Sequence, residues 1–255
     1  MEILLICIVA FLASLLTFYS GFGLGTLLLP VFSVFYGVQT AVFLTALVHF
    51  LNNSFKAVLV WKQANKQLAL KFALFAIPAG LAGANLLGIL DESEGLYHYT
   101  IGEMGYVIDP IQLTVGLLMV IFGILELSKK FGALQIDLKW LPLGGILSGF
   151  FGGLSGHQGA LRTAFLIRAG LSREAFIATG IFIACAIDLT RIPYYMYIGG
   201  EGELPYKTLL PAVLSAFAGA WLGNKYIGKV QISLIRKLVA VFLLLSGSLI
   251  ALGII

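Results

Sequence analysis

The segment SGHQGALR, residues 155–162, sets His157, Gln158 and Arg162 into a stretch otherwise built of Gly, Leu and Phe. Arg162 has the clearest chemistry: a guanidinium keeps its charge and offers five N–H donors, which suits an oxyanion. It stands three residues after Gly159. A half-helix starting there would add the free N–H groups of Gly159–Leu161, and the positive end of the helix dipole, to the same anion site. Gln158 adds a polar group, and glycine lets backbone approach a ligand. Histidine as a residue type titrates near neutral pH, which makes His157 the candidate proton carrier; its plainer role is a neutral ring bonded to backbone.

A second group lies in ACAIDLTRIPYYM, where Asp188 and Arg191 share a helix face three residues apart. They read as an intrahelical ion pair. They also read as a cavity wall with Thr190, Tyr194 and Tyr195, where Pro193 frees the carbonyl of Leu189 from its helix bond. On the second reading Arg191 is another substrate ligand. Asp188 is then a coupling carboxylate; the plainer reading of Arg162 is a buried pair with Asp188 that locks the hairpin to its neighbour. A third group, Thr45, His49, Asn52, Asn53 and Lys56, recurs at helical spacing. Asn52 and Asn53 are taken from it as substrate contacts, with interhelical hydrogen bonding as their alternative. Lys56 is expected to snorkel to the interface, Glu126 to pair with Lys130 at i,i+4, and Glu2 to stand unpaired.

This is binding chemistry. The patterns H-E-x-x-H, G-x-S-x-G and Walker A do not occur, nor do paired catalytic aspartates. Cys7 and Cys185 both lie in apolar runs, which indicates no disulfide framework or metal cluster. No catalytic residue, metal or cofactor is expected.

The elements that must position these groups are membrane helices. The chain is 60% hydrophobic and 11% charged over 255 residues, against about 25% charged in ordinary soluble domains. Runs such as QLTVGLLMVIFGIL and KLVAVFLLLSGSLIALGII suit a hydrocarbon core about 30 Å thick. The ten-residue alternation of a membrane β-barrel is missing. The expectation is an all-α polytopic membrane protein with segments near 2–20, 23–37, 39–61, 69–90, 111–128, 140–156, 159–170, 174–198, 206–224 and 232–254. The first is read as retained, because Met1-Glu2 offers no basic n-region and no small-residue cleavage site follows.

The connecting loops sort by charge. Lys62, Lys66 and Lys71 mark one; Lys129, Lys130 and Lys139 a second; Arg168 and Arg173 a third; Lys225, Lys229, Arg236 and Lys237 a fourth. The opposite loops carry Asp91, Glu92, Glu94, Glu103 and Asp109, and Glu201 with Glu203. The positive-inside rule makes the basic loops cytoplasmic and both termini non-cytoplasmic, in a cytoplasmic membrane. The net charge of +4 then marks one side of a bilayer, not a nucleic-acid partner.

Residues 140–170 must begin and end inside, yet the pieces flanking their glycine-rich middle are too short to span at about 1.5 Å per residue. A broken helical hairpin is expected there, with Gly156 and Gly159 at its turn. Residues 2–37 repeat the pattern from the other side, with Gly21, Gly23 and Gly25. Pairing Gly25 with Gly159, Ala41 with Ala175 and Thr45 with Thr179 aligns the two halves at one offset. Five segments per half make the second copy upside down, so residues 1–128 and 129–255 are read as inverted repeats within one membrane domain. This is an architecture of secondary transporters, with the site at the repeat interface.

At these residues the chain resembles a known family. GFGLGTLLLP with GVQTAVFLTALVHFLNNS, and GFFGGLSGHQGALRTAFLIRAGLSREAFIATG, are similar to the two glycine-rich motifs of the TauE/SafE family of sulfite-exporter-like permeases. The resemblance implies transport of sulfite, sulfonates or other sulfur-containing organic anions, usually outward. The family motif is close to G-I-G-G-G in each copy. Here Leu24 interrupts the first, and SGHQG replaces the second. His157 and Gln158 stand where the family has small apolar residues, which leaves room for a substrate other than sulfite.

The expected function is a secondary transporter for a small anion, with proton or other ion coupling through His157 and Asp188. A homo-oligomer in the bilayer is compatible with it. An anion channel of the same architecture is the alternative. An intramembrane enzyme ranks below both and a cation carrier last, because intramembrane arginines outnumber carboxylates.

Overall fold

The computed structural model describes residues 1–17, 23–128, 130, 134–198, 204–226 and 232–255. Among them the chain forms α1 (Glu2–Thr17), α2 (Leu24–Tyr36), α3 (Val38–Val60), α4 (Lys66–Asp91), α5 (Pro110–Leu127), α6 (Leu141–Ser155), α7 (Gly159–Leu166), α8 (Arg173–Ile198), α9 (Tyr206–Tyr226) and α10 (Ile232–Ala251). Start signals are local. The side chain of Asn65 accepts from the N–H of Leu68 at 3.0 Å to open α4. Pro110 begins α5, with Gln112 reaching back to the N–H of Asp109 at 3.2 Å.

Among the described residues, α3 with its short 3₁₀ extension (Val38–Gln63), α4, α5 and α8 are long and apolar enough to cross a bilayer. The 26 residues of α4 reach about 39 Å and the 8 of α7 only about 12 Å. Many large apolar side chains face outward, Leu70 at 72% exposure and Leu245 at 65% among them. Such a surface suits hydrocarbon, and the backbone bonds inside each helix satisfy the polar groups that lipid cannot.

Small residues set the closest helix contacts. On α6, Gly149 and Gly153 meet α4 so closely that added Cβ atoms would overlap the carbonyl oxygens of Ala76 and Gly80; Gly83 of α4 meets that of Phe150. Gly219 of α9 lies equally close to the carbonyl of Phe11 on α1. Gly116 and Gly247 do the same between α5 and α10. Close backbone approach is how membrane helices gain packing where lipid competes for every apolar side chain. α3 and α8 pack on each other, and α2 packs on α1 and α3.

One element departs from an all-helical chain. The acidic loop between α4 and α5 holds an antiparallel hairpin, β1 (Tyr97–Ile101) and β2 (Met104–Ile108). Gly102, at φ 64°, opens its two-residue turn. The rings of Tyr99 and Tyr106 stack across it at 5.4 Å, and the hydroxyl of Tyr99 donates to the carbonyl of Leu252 at 2.5 Å.

Glu2 is not unpaired. Its carboxylate accepts from the hydroxyls of Tyr36 and, at 3.3 Å, Thr208, joining α1 to α2 and α9.

Candidate functional site

α6 ends at Ser155 because Gly156 takes φ 80°, a left-handed conformation that glycine adopts without Cβ strain. The chain then returns along α6. The hydroxyl of Ser148 donates to the carbonyl of Gln158 at 2.9 Å, and Phe165 packs against Gly144. The first helical bond of α7 runs from the N–H of Arg162 to Gln158 at 3.1 Å, so the N–H groups of Gly159–Leu161 have no acceptor within the helix. α2 begins alike after Gly23, at φ 113°, its first bond running from Leu27 to Gly23 at 3.0 Å. The two helix starts face each other: a Cβ on Gly25 would lie 4.0 Å from the carbonyl oxygen of Gly156. Gly21 lies outside the described residues.

A narrow cavity lies where they meet. Gly23, Gly25 and Thr26 of the first break and residues 156–160 of the second line it, with Arg162. His49 of α3, Phe122 and Glu126 of α5, and Val239 and Leu243 of α10 complete the wall. The space open to the centre of a water molecule is about 20 Å³, little more than one water needs.

Behind the cavity is a buried charge network. One oxygen of Asp188 accepts from Arg191 Nε at 3.0 Å, from Arg191 Nη2 at 2.8 Å and from Gln158 Nε2 at 3.2 Å. The other lies 2.5 Å from His49 Nδ1. Arg191 also donates to the carbonyl of Gly152 at 2.6 Å, and the hydroxyl of Tyr195 donates to that of Gly153. These bonds tie α8 to α6. Arg162 Nη1 donates to Gln158 Oε1 at 3.3 Å. The amide of Gln158 therefore stands between the two charges, its oxygen toward arginine and its nitrogen toward carboxylate, the orientation their chemistry requires.

Arg162, Gln158, Gly159, His157, Gly23, Gly25 and Gly156 thus come together at the cavity. Arg191 and Asp188 stand behind it, and Arg191 is engaged by Asp188 and Gly152. The lock anticipated between Arg162 and Asp188 takes another form, because Asp188 forms its ion pair with Arg191 and its other oxygen contacts the ring of His49. Asn53 lies over the ring of His49, 3.1 Å from Nε2. Asn52 faces elsewhere, 3.1 Å from each of Ser14 Oγ, Ala216 O and Lys56 Nζ, bridging α3 to α1 and α9.

Two further expectations are corrected. Lys56 does not snorkel; it is buried at 4% exposure, because it lies one turn beyond Asn52 on the same inward face. Glu126 pairs with Arg236 of α10 at 2.8 Å and not with Lys130, because α5 ends at Leu127 and the i,i+4 geometry ends with it. His49 was the residue missed in the site. Its signal was present: it sits four residues from both Thr45 and Asn53, on one polar stripe of a membrane helix.

Compared with known protein families, the chain matches the model described as Sulfite exporter TauE/SafE over residues 6–250. Comparison with curated proteins and with solved structures yields no match.

Proposed function

Because the chain belongs to the TauE/SafE sulfite exporter family, a family of membrane transporters, we propose that it carries a small sulfur-containing oxyanion across the cytoplasmic membrane by alternating access. Sulfite and organosulfonates are the substrates that the family favours. The observation that carries this reading is the convergence of two helix starts and Arg162 on one buried cavity. Free N–H groups and the positive dipole ends of α2 and α7 favour negative charge. A guanidinium adds paired donors that match two oxygens of a sulfite or sulfonate.

The helix contacts support an inverted repeat of five segments each. Overlaying α1–α5 on α6–α10 turns the α1–α9 contact into the α6–α4 contact, while α3–α8 and α5–α10 map onto themselves. The cavity then lies at the repeat interface, as in carriers built from broken helices. With the basic loops inside, both termini are on the far side of the membrane. The narrowness of the cavity favours a carrier over an open channel, since an oxyanion would enter only after the walls move.

Reconstituted protein is expected to move sulfite with saturable kinetics. Arg162→Gln should weaken anion affinity by roughly 2–5 kcal/mol with little change in melting temperature. Flux that does not saturate would favour the channel, and unchanged affinity in Arg162→Gln would remove Arg162 from the site. Cysteine labelling that places either terminus in the cytoplasm would overturn the repeat topology.

A further inference from the structure

Resting on that reading, the ring of His157 bears on the form in which the anion is taken. His157 is 3% exposed, lines the cavity beside Arg162, and stacks on Phe122 with ring centroids 5.3 Å apart. Its Nδ1 is 3.1 Å from the hydroxyl oxygen of Ser155. That hydroxyl has a single proton, which it donates to the carbonyl of Phe151 at 3.2 Å. Ser155 thus has only lone pairs to offer, and the proton of a neutral imidazole sits on Nδ1. Nε2 is left as a bare lone pair, with no hydrogen-bond partner among the described residues.

A buried acceptor without a donor is unfavourable. A fully deprotonated anion beside it adds repulsion between lone pairs. The contact becomes attractive once a proton stands between nitrogen and ligand oxygen, whether it arrives on the ligand as an acidic O–H or on the ring. The neighbouring charges oppose a proton that comes to the ring by itself. Arg162 of α7 and Arg191 of α8 lie on this side of the cavity, and Arg191 and the imidazole of His49 on α3 both contact Asp188. Glu126 of α5 lines the cavity but is paired with Arg236 of α10, and α2 contributes only the uncharged Thr26. Beside the two arginines a lone proton is repelled, and only one that arrives with an anion is stabilised.

We propose that the cavity takes anion and proton as a pair, one proton for each anion, held between a ligand oxygen and Nε2 of His157. The ligand class is an oxyanion in its hydrogen-bearing form, such as hydrogen sulfite, or a permanently ionised sulfonate accompanied by a proton on the ring.

Titration calorimetry of the full-length protein with methanesulfonate counts the protons, because this probe carries none itself. Runs at one pH in two buffers of different protonation enthalpy give the number. Wild type is expected to take up about one proton per anion, so that affinity weakens about tenfold per pH unit above neutrality. His157→Gln, which brings its own amide donor, should bind without uptake.

Binding by wild type with no proton uptake overturns the proposal. So does uptake that persists in folded His157→Gln, which would assign the proton to the His49–Asp188 pair. If folded wild type binds neither methanesulfonate nor sulfite, the transport reading itself fails, and the proposal falls with it.

Discussion

The contacts α4–α6 and α3–α8 are made of opposite materials. Along α4–α6 backbone meets backbone, with the carbonyl oxygens of Ala76, Gly80 and Phe150 standing where Cβ atoms of Gly149, Gly153 and Gly83 would be. Between α3 and α8 the contact is polar, centred on Asp188 with His49 on one oxygen and Arg191 and Gln158 on the other. Helices in a bilayer gain little from apolar contact alone, so they associate through close packing or through polar bonds. A backbone seam has one fit. A hydrogen-bonded cluster can exchange partners, because Gln158, Asp188 and His49 each have more than one polar neighbour in reach. The difference predicts that α4–α6 acts as a rigid frame, and that a charge entering the cavity would be felt first at α3–α8.

The severest way to break this comparison is at the seam. Gly153→Val should abolish the folded state, giving protein that aggregates on extraction and shows no cooperative melting. Overpacking a core commonly costs about 1–3 kcal/mol when side chains can move aside; here the obstacles are backbone atoms of Gly80 and Ala84. A variant that melts near wild type would mean that α4 and α6 can slide apart, and the seam would lose its rigid role.

The polar contact should break differently, and it should be repairable. Arg191→Met leaves Asp188 fully buried without its arginine, which should lower stability by about 3–5 kcal/mol. Removing both charges, as Arg191→Met with Asp188→Leu, should recover most of the loss, as measured by thermal unfolding of the two single variants and the double. Additive losses would show that the two side chains act separately, and the cluster would not be a network.

Such differences in material were only partly legible in the sequence. The apolar runs read directly as helices, since hydrophobic length reports what a bilayer requires. The glycines of α6 were visible too, but they read as a break. Gly149 and Gly153, four residues apart, carry instead the small-residue spacing of a helix seam, and which helix would meet it depends on the fold. Arg162, Gln158 and His157 stood out because polar groups are costly in lipid. The partners were harder to see. Local spacing paired Glu126 with Lys130, whereas Arg236 reaches it from a helix more than one hundred residues away. His49 and Asp188 lie 139 residues apart, a separation at which spacing carries no information. The hairpin of β1 and β2 had a local signature, the short runs YHYTI and MGYVI with their Tyr, Thr, Val and Ile flanking Gly102-Glu103, masked by the acidic residues around it.

The smallest expected effect separates a glycine of the cavity from those of the seam. Gly25 belongs to the first turn of α2, and a Cβ there would lie 3.5 Å from Thr45 Cγ2, 3.8 Å from His49 Cδ2 and 4.0 Å from the carbonyl oxygen of Gly156. These are ordinary van der Waals contacts, and alanine favours the helix over glycine by up to about 1 kcal/mol. Gly25→Ala should therefore melt within about 0.5 kcal/mol of wild type. The added methyl group nonetheless stands at the wall of a cavity that leaves only about 20 Å³ open to the centre of a water molecule, beside N–H groups with no acceptor within their helix. Affinity for sulfite should fall about tenfold while stability holds, the split that distinguishes a glycine kept for ligand access from one kept for packing. Melting temperature and sulfite affinity measured on the same preparation decide it. A large loss of stability would place Gly25 with Gly153 as a packing residue, and unchanged affinity would mean that the anion does not approach the start of α2.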